Sequence, residues 1–131
     1  MNTFYIVLDT NILVSALLSP EGNSAKIYKL FLSGSLSLIY STDIFEEYKD
    51  VIFRPRLNIP ADDAKIVLSA ILKFGQKIEP LRGENIMIDE DDRIFYDTTK
   101  TAKAFLITGN KRHYPQETFI FTPAEFLEIV S

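Results

Sequence analysis

The chain is predicted to adopt an α/β fold, in which a central parallel sheet carries helices on both faces. Its 131 residues contain short apolar runs without alternation, which are typical of buried strands. These runs alternate along the chain with longer segments of helical periodicity. Polar residues directly follow several of these runs, and parallel sheets bind their ligands at the carboxyl ends of the strands. The sequence therefore predicts both the fold class and the edge of the sheet where chemistry takes place.

The first half of the chain is expected to contain two strands and four helices. Ser24 and Asp43 are suitable N-caps, because their side-chain oxygens can accept hydrogen bonds from the first backbone N–H groups of a helix. Gly34 stands where a glycine often follows a helix, and Pro55 disfavours helical geometry in the residue before it. The expected strands are 4–8 and 36–40, and the expected helices are 12–18, 25–33, 43–54 and 62–74.

In the second half, strands and helices continue to alternate. Asp89 is a suitable N-cap, and Asp92 in the following turn would complement the helix dipole. The expected strands are 77–79, 105–108 and 118–121, and the expected helices are 89–103 and 123–130.

Composition and charge exclude several classes of protein. A hydrophobic fraction of 47% with 24% charged residues describes a folded globular chain, expected to form one domain over residues 1–131. The absence of cysteine excludes disulfides, thiol nucleophiles and thiolate metal sites. No apolar run has membrane-spanning length and the first lacks a basic leader, so we expect a cytoplasmic protein that does not bind membranes. The net charge of −4 argues against non-specific nucleic-acid binding over a broad surface, but it does not exclude binding at a local site.

An aspartate ends the first predicted strand, in the stretch YIVLDTNILV. An ionised carboxylate at the end of a buried strand is costly unless another group compensates it. Capping of the next helix by Asp9 or Thr10 is the structural explanation, and a ligand site at the carboxyl end of the strand is the functional one. Asn11 completes the same polar stretch.

Glu47 lies at the edge of the apolar stripe of a predicted helix. Ile44 and Val51 belong to the stripe, whereas Glu46 and Asp50 fall on the opposite side, towards water. A carboxylate at such a border has a partner, lines a cleft, or extends its charged end into solvent. The helical periodicity alone leaves these interpretations open.

Acidic residues crowd the stretch IDEDDRIFYD. Capping and the helix dipole account for acids at the start of a helix. Adjacent carboxylates nevertheless repel one another, and a divalent cation would relieve that repulsion. The acids are Asp89, Glu90, Asp91, Asp92 and Asp97.

A glycine and an asparagine follow the strand predicted at 105–108, in the stretch ITGNKRHYP. Gly109 permits a tight turn, and Asn110 presents an amide to the same crevice as Asp9, although Gly-Asn turns are also common without function. His113 is either a general acid or, as we favour, an ordinary surface histidine or one that contacts a nucleic acid.

The carboxylates of Asp9, Glu47, Asp91 and Asp92 could form one acidic pocket. Oxygen ligands without histidine or cysteine partners suit Mg²⁺ or Mn²⁺ rather than Zn²⁺. Such ions act mainly on phosphate substrates, where they activate a water and neutralise charge on the attacked phosphodiester.

Four motifs occur in order along essentially the whole chain. They are Asp-Thr-Asn after the first strand, the Ser41…Glu47…Arg54-Pro55 segment, DEDD before a helix and ITGN after a strand. This ordered set resembles the PIN-domain family, and most closely the toxin components of toxin–antitoxin systems. The resemblance implies a three-layer α/β/α sandwich, a Mg²⁺- or Mn²⁺-dependent endoribonuclease site, an antitoxin partner and a homodimer.

The resemblance also implies site residues. The three acids of the family fall on Asp9, Glu47 and Asp92, the last because position 110 is eighteen positions further along the chain, as in the family. The fourth position, commonly aspartate, is Asn110 here, which can ligate a metal through its carbonyl oxygen but brings no charge. Asp91 or Asp97 could supply that charge instead. The expected supporting residues are Thr10, Asn11 and Ser41 around the site and Arg54, Arg56, Lys111 and Arg112 along the RNA backbone.

Three functions compete for this sequence. The first is RNA cleavage at a metal held by Asp9, Glu47 and Asp92. The second is a non-catalytic binding module with the same fold and a degenerate metal site, which Asn110 and the negative net charge favour somewhat. The third is a phosphatase with Asp9 as nucleophile, but such enzymes typically need an aspartate where this chain has Asn11.

Overall fold

A five-stranded parallel sheet forms the centre of the computed structural model, which describes residues 3–130. Its strands are β1 (Phe4–Leu8), β2 (Leu36–Tyr40), β3 (Gln76–Lys77), β4 (Phe105–Ile107) and β5 (Ile120–Phe121). They pair in the order β3-β2-β1-β4-β5. The strand predicted at 77–79 lies at 76–77 instead, and the one predicted at 118–121 is limited to 120–121. Chain order reverses between β1 and β4, which is where open parallel sheets bind ligands.

Helices cover both faces of this sheet, so the molecule is the expected three-layer α/β/α sandwich. A bilayer-spanning apolar helix is not found anywhere in residues 3–130. Short 3₁₀ turns occur at Pro55–Leu57, Glu90–Asp92 and Lys111–His113. The helices are α1 (Thr10–Leu18), α2 (Asn23–Leu32), α3 (Thr42–Ile52), α4 (Ala61–Phe74), α5 (Arg93–Ala102) and α6 (Pro123–Val130).

Two of the predicted N-caps are wrong. Helix α3 is capped by Ser41 rather than Asp43, because Ser41 is the extended residue directly after β2 and its Oγ accepts the N–H of Ile44 at 3.2 Å. Helix α2 begins one residue before Ser24, and its N-cap, Gly22, has no side chain with which to cap.

The helix predicted at 89–103 begins differently from the expectation. Asp89 does act as a cap, but its Oδ1 accepts the N–H of Asp91 at 3.0 Å and closes the 3₁₀ turn Glu90–Asp92. Regular α-helical geometry starts only at Arg93. The acidic stretch is therefore divided between a tight turn and the helix that follows it.

A buried hydrogen bond anchors α3 to the central strand. Ile44, Tyr48 and Ile52 are fully buried, as the apolar stripe predicts. The Tyr48 hydroxyl donates a 2.5 Å hydrogen bond to the carbonyl of Leu8, the last residue of β1. Because this bond fixes α3 against the end of β1, it also holds Glu47, the next residue back along the helix, near the carboxyl edge of the sheet.

Candidate functional site

Asp9 directly follows β1 at the carboxyl edge of the sheet, where its backbone N–H donates to the Ile107 carbonyl at 3.0 Å. Its side chain makes no capping hydrogen bond to α1, so the capping explanation for this carboxylate is wrong. Instead, Asp9 Oδ2 accepts hydrogen bonds from Thr108 Oγ1 at 2.8 Å and from the Tyr114 hydroxyl at 3.1 Å. Because both donors use the same oxygen, Oδ1 is the atom that can bind a ligand.

Glu47 approaches this edge from α3. Thr10 Oγ1 donates a short hydrogen bond to Glu47 Oε2, which ties the first residue of α1 to α3. Burial raises the pKa of Glu47, and the carboxylates of Asp9 and Asp91 raise it further, while the Thr10 hydrogen bond acts in the opposite direction. The side chain is half-buried, which agrees with its place at the border of the apolar stripe.

Asp92 supplies a third carboxylate from the end of the 3₁₀ turn. Its Oδ2 atom is buried and has no hydrogen-bond partner within residues 3–130, although His113 Nδ1 lies 3.8 Å away. Burial raises the pKa of Asp92 to about 6, and the carboxylates of Asp9, Asp89 and Glu47 contribute to the increase. A buried oxygen without a donor, surrounded by like charges, favours a cation as its partner.

We call Asp9, Glu47 and Asp92 the acidic cluster. Asp9 raises the pKa of both other members, so their charges lie close enough to interact. Nevertheless, no group of three or more His, Asp or Glu side chains in the described part of the chain is arranged to hold a metal ion. Charges interact over long distances, whereas Mg²⁺ needs oxygens at about 2.0–2.1 Å. The donors fit a hard divalent cation by their chemistry, but they do not form a closed set of ligands.

Asn110 lies on an exposed turn after β4, at the rim of the acidic cluster. Its backbone N–H donates to Thr108 Oγ1 at 3.1 Å, so the Thr108 hydroxyl connects Asn110 with Asp9. Its side-chain Nδ2 lies 3.1 Å from His113 Nε2, and the other nitrogen of that ring is the one nearest Asp92 Oδ2. The amide of Asn110 therefore contacts a histidine, and His113 stands between it and the cluster.

Comparison with known proteins identifies this arrangement of strands and acids. The family model for the PIN domain matches residues 5–112, a range that contains the acidic cluster and Asn110. The chain belongs to the PIN domain family. That family is generally one of nucleases that use divalent metals.

Two known proteins are similar to this PIN domain, one in sequence and one in structure. The uncharacterized protein MJ1680 of Methanocaldococcus jannaschii is 30% identical over 109 residues, which cover 81% of this chain and 70% of that protein. A crystal structure of VapBC2 from Rickettsia felis, bound to a DNA fragment from their promoter, matches with a TM-score of 0.61. The match covers 91% of this chain and 98% of that chain at 15% identity, and likeness at that level establishes the fold alone.

The remaining polar residues expected around the site of this PIN domain have different surroundings. Asn11 and Asp91 are exposed, and Asp91 is near enough to raise the pKa of Glu47. Ser41 is buried, and its hydroxyl serves as the cap of α3. Thr10 alone among the supporting residues hydrogen-bonds a member of the acidic cluster.

Asp97 lies on α5 and contacts the loop that precedes this helix. It is buried, its Oδ2 accepts the N–H of Gly83 at 3.0 Å, and its Oδ1 lies 3.7 Å from Arg93 Nη1. A Cβ at position 83 would meet Asp97 Oδ1 at 2.8 Å, so any other residue there would have to displace the Asp97 carboxylate. These contacts indicate that Asp97 holds the loop in place rather than adding a charge to the acidic cluster.

The basic residues expected to bind RNA fall into two groups. Arg54 Nη2 pairs with Asp50 at 2.9 Å, and Lys111 Nζ pairs with Glu125 at 3.2 Å. Arg56 and Arg112 are exposed and form no ion pair within residues 3–130. The second group presents charge that a phosphate can use without displacing a protein carboxylate.

The sequence patterns did not identify two side chains of the site, Thr108 and Tyr114. Thr108 could have been found from topology, because it directly follows β4, the strand beside β1, and so lies next to Asp9. Tyr114 offers no such signal, since it follows a 3₁₀ turn in irregular chain and its hydroxyl meets Asp9 only through the tertiary fold.

Proposed function

We propose that this PIN domain is a Mg²⁺- or Mn²⁺-dependent endoribonuclease and the toxin of a toxin–antitoxin pair. The observation that carries the proposal is the buried Oδ2 of Asp92, which has no hydrogen-bond partner among the described residues and lies near the carboxylates of Asp9 and Glu47. Such an oxygen is costly without a cation, and all-oxygen donors suit Mg²⁺ or Mn²⁺. In this role, Asp9, Glu47 and Asp92 would hold the ion, which neutralises charge on the attacked phosphodiester and activates a water.

The surrounding residues orient the donors. Thr108 and Tyr114 hold Asp9 through Oδ2, which keeps Oδ1 available. Thr10 fixes one oxygen of Glu47, and Asn110 acts as a neutral group at the rim. Because these hydrogen bonds exist before a ligand arrives, less reorganisation is needed during reaction.

RNA binding is proposed to depend on Arg56 and Arg112, with Arg54 and Lys111 contributing once their carboxylate partners are displaced. Guanidinium groups bind phosphate through paired N–H donors. At a net charge of −4, general attraction to RNA is absent, so these local contacts would have to hold the substrate.

The toxin assignment is supported by the ordered motifs and by the fold shared with VapBC2, whose structure includes promoter DNA. An antitoxin protein and a second copy of this chain are the proposed partners. A non-catalytic binding module is the second candidate, because Asn110 brings no charge to the fourth position and the acidic cluster is not a closed ligand set.

The test uses two adjacent glutamates of α3. Glu47→Gln should lower Mn²⁺-dependent RNA cleavage by about 100-fold or more, because a ligand charge is lost while Thr10 keeps an acceptor. Glu46→Gln is the matched control, since Glu46 is exposed and, within residues 3–130, pairs only with Lys49 at 3.3 Å. Its cleavage rate should equal that of the wild type.

Melting curves with and without Mn²⁺ separate the two candidates. The nuclease proposal expects Mn²⁺ to stabilise the wild type and Glu46→Gln but not Glu47→Gln. If millimolar Mn²⁺ stabilises none of the three and the wild type leaves RNA intact, the binding module is the correct function.

A further inference from the structure

A cavity of about 340 Å³ adjoins the acidic cluster through a shared side chain. Tyr114 lines the cavity, and its hydroxyl donates to Asp9. Pro115 and Ile120 add apolar walls, while Arg112, Gln116 and Glu117 add polar groups. Apolar walls with a few polar groups are typical of sites for small organic ligands.

We propose that this cavity binds a guanine base of the RNA substrate, next to the phosphate that is cleaved. The inference rests on the proposed function, because it names the nucleotide that a ribonuclease site would select. Single-stranded RNA is recognised by stacking of bases on flat side chains and by hydrogen bonds to their edges. The cavity contains groups for both kinds of contact.

The walls of the cavity are held in place before a ligand arrives. Tyr114 and Ile120 are each only 3% exposed, and the hydrogen bond to Asp9 restrains the Tyr114 ring. Because these two side chains present almost no surface, a nucleobase would pack its apolar face against the partly exposed Pro115 while its edge meets the polar groups. Rigid walls reduce the entropy lost on binding.

Glu117 is the group that distinguishes one base from another. The hydroxyl of Tyr96, a fully buried residue, donates to Glu117 Oε1 at 2.7 Å and so orients the carboxylate. Oε2 is then available to a ligand, and Oε1 keeps a second lone pair. Guanine presents two adjacent donors, N1–H and the N2 amino group, which suit a carboxylate. The other three bases lack that pair of donors.

Arg112 supplies the contact to the RNA backbone. It lines the cavity, is exposed, and forms no ion pair within the described residues. Lys111 lines the same cavity, but its ammonium is paired with Glu125 at 3.2 Å. A free guanidinium beside a base-sized cavity can bind the phosphate of the same nucleotide.

The experiment is a titration of ¹⁵N-labelled protein with the four ribonucleoside 5′-monophosphates in chelator, followed by NMR. The guanosine nucleotide should shift the backbone amides of residues 111–120 and bind about tenfold more tightly than the other three. Because no metal is present, binding is measured independently of cleavage.

Variants assign the preference to Glu117. Glu117→Gln retains an acceptor for Tyr96 but replaces one oxygen with an amino group, so the tenfold preference should disappear. Asp62→Asn, on the exposed first turn of α4, removes the same charge at a distant position and should preserve the preference.

The outcomes separate this inference from the proposed nuclease function. Guanosine-selective shifts at 111–120 in a protein that cleaves no RNA would support the cavity and remove the nuclease proposal. Equal binding of all four nucleotides, or shifts confined to the surroundings of Asp9, would overturn the guanine site even if RNA is cleaved.

Discussion

Asp92 and Asp97 come from one acidic stretch, yet the fold places them in opposite electrostatic surroundings. Asp92 has a buried oxygen without a donor, lies among other carboxylates, and has a pKa raised to about 6. Asp97 is also buried, and its Oδ1 likewise has no hydrogen bond within residues 3–130, but that oxygen lies 3.7 Å from Arg93 Nη1 and its Oδ2 accepts the N–H of Gly83 at 3.0 Å. The difference shows that the number of acids in a sequence says little about which of them can bind a ligand.

Arg93 creates the second environment. Its guanidinium donates to the carbonyls of Gly83 at 2.9 Å and Asn85 at 2.5 Å, and it pairs with both oxygens of Glu90 at 2.7 and 2.9 Å. The hydrogen bond from Arg93 lowers the pKa of Glu90. Acids that face this cation stabilise a loop. In the described part of the chain no arginine is bonded to the acidic cluster, which is therefore suited to an external cation.

The largest expected effect concerns Asp92. Asp92→Asn removes a charge from the acidic cluster and should lower Mn²⁺-dependent RNA cleavage by about 100-fold or more. In chelator the variant should melt no lower than the wild type, because one repulsive carboxylate is gone. A cleavage assay and melting curves on the same preparations test both points, and a variant that melts clearly lower would contradict the comparison.

The same chemical change at Asp97 should have the opposite effect on stability. Asp97→Asn removes the second carboxylate that faces Arg93 and weakens the acceptor of the Gly83 N–H, so it should reduce the free energy of unfolding by about 1–3 kcal/mol. Urea denaturation in chelator measures this loss. Cleavage by the folded fraction should stay within a few-fold of wild type, and a 100-fold loss would instead place Asp97 in the site.

The pH dependence of stability should also differ between the two environments. The pKa of Asp92 in the fold, about 6, is above its ordinary value of 3.8. Its contribution is therefore fully present below the ordinary value and is lost as the pH rises through 6. Glu90, whose pKa is lowered, contributes stability that is lost as the pH falls.

Urea unfolding of metal-free wild type and Asp92→Asn checks the sign. Between about pH 4.5 and about pH 7 the variant should gain about 1 kcal/mol over the wild type, less than the full shift implies because Asp92 is partly solvated. A constant difference across this range would show that Asp92 titrates normally.

The smallest expected effect concerns the orientation of Asp9. Tyr114→Phe removes one of two donors to Asp9 Oδ2 and should slow cleavage by roughly 5- to 10-fold, with at most about 1 kcal/mol lost in stability. Tyr28→Phe is the matched control, since the Tyr28 hydroxyl is buried without a partner in the described chain. Its cleavage rate should not change, and equal rates for both variants would remove Tyr114 from the site.

The sequence by itself determined the fold class and the edge of the sheet that carries the acids. Both follow from local patterns, because apolar runs form buried strands and polar residues after them fall at the carboxyl edge of a parallel sheet. Helical periodicity likewise placed Glu47 at the border of the α3 stripe, and its half-buried side chain agrees. The roles of Asp9, Glu47 and Asp92 as metal ligands remain predictions.

Tertiary structure decided which acids are paired. Helical periodicity indicates that Arg93 and Asp97 are i,i+4 neighbours on α5, but the contact of Asp97 with Gly83 depends on the path of an irregular loop. The cavity beside Tyr114 depends on the same kind of contact, since Tyr96 and Glu117 meet only when α5 packs near the chain before β5. Such pairings join residues far apart in sequence, and local patterns carry no information about them.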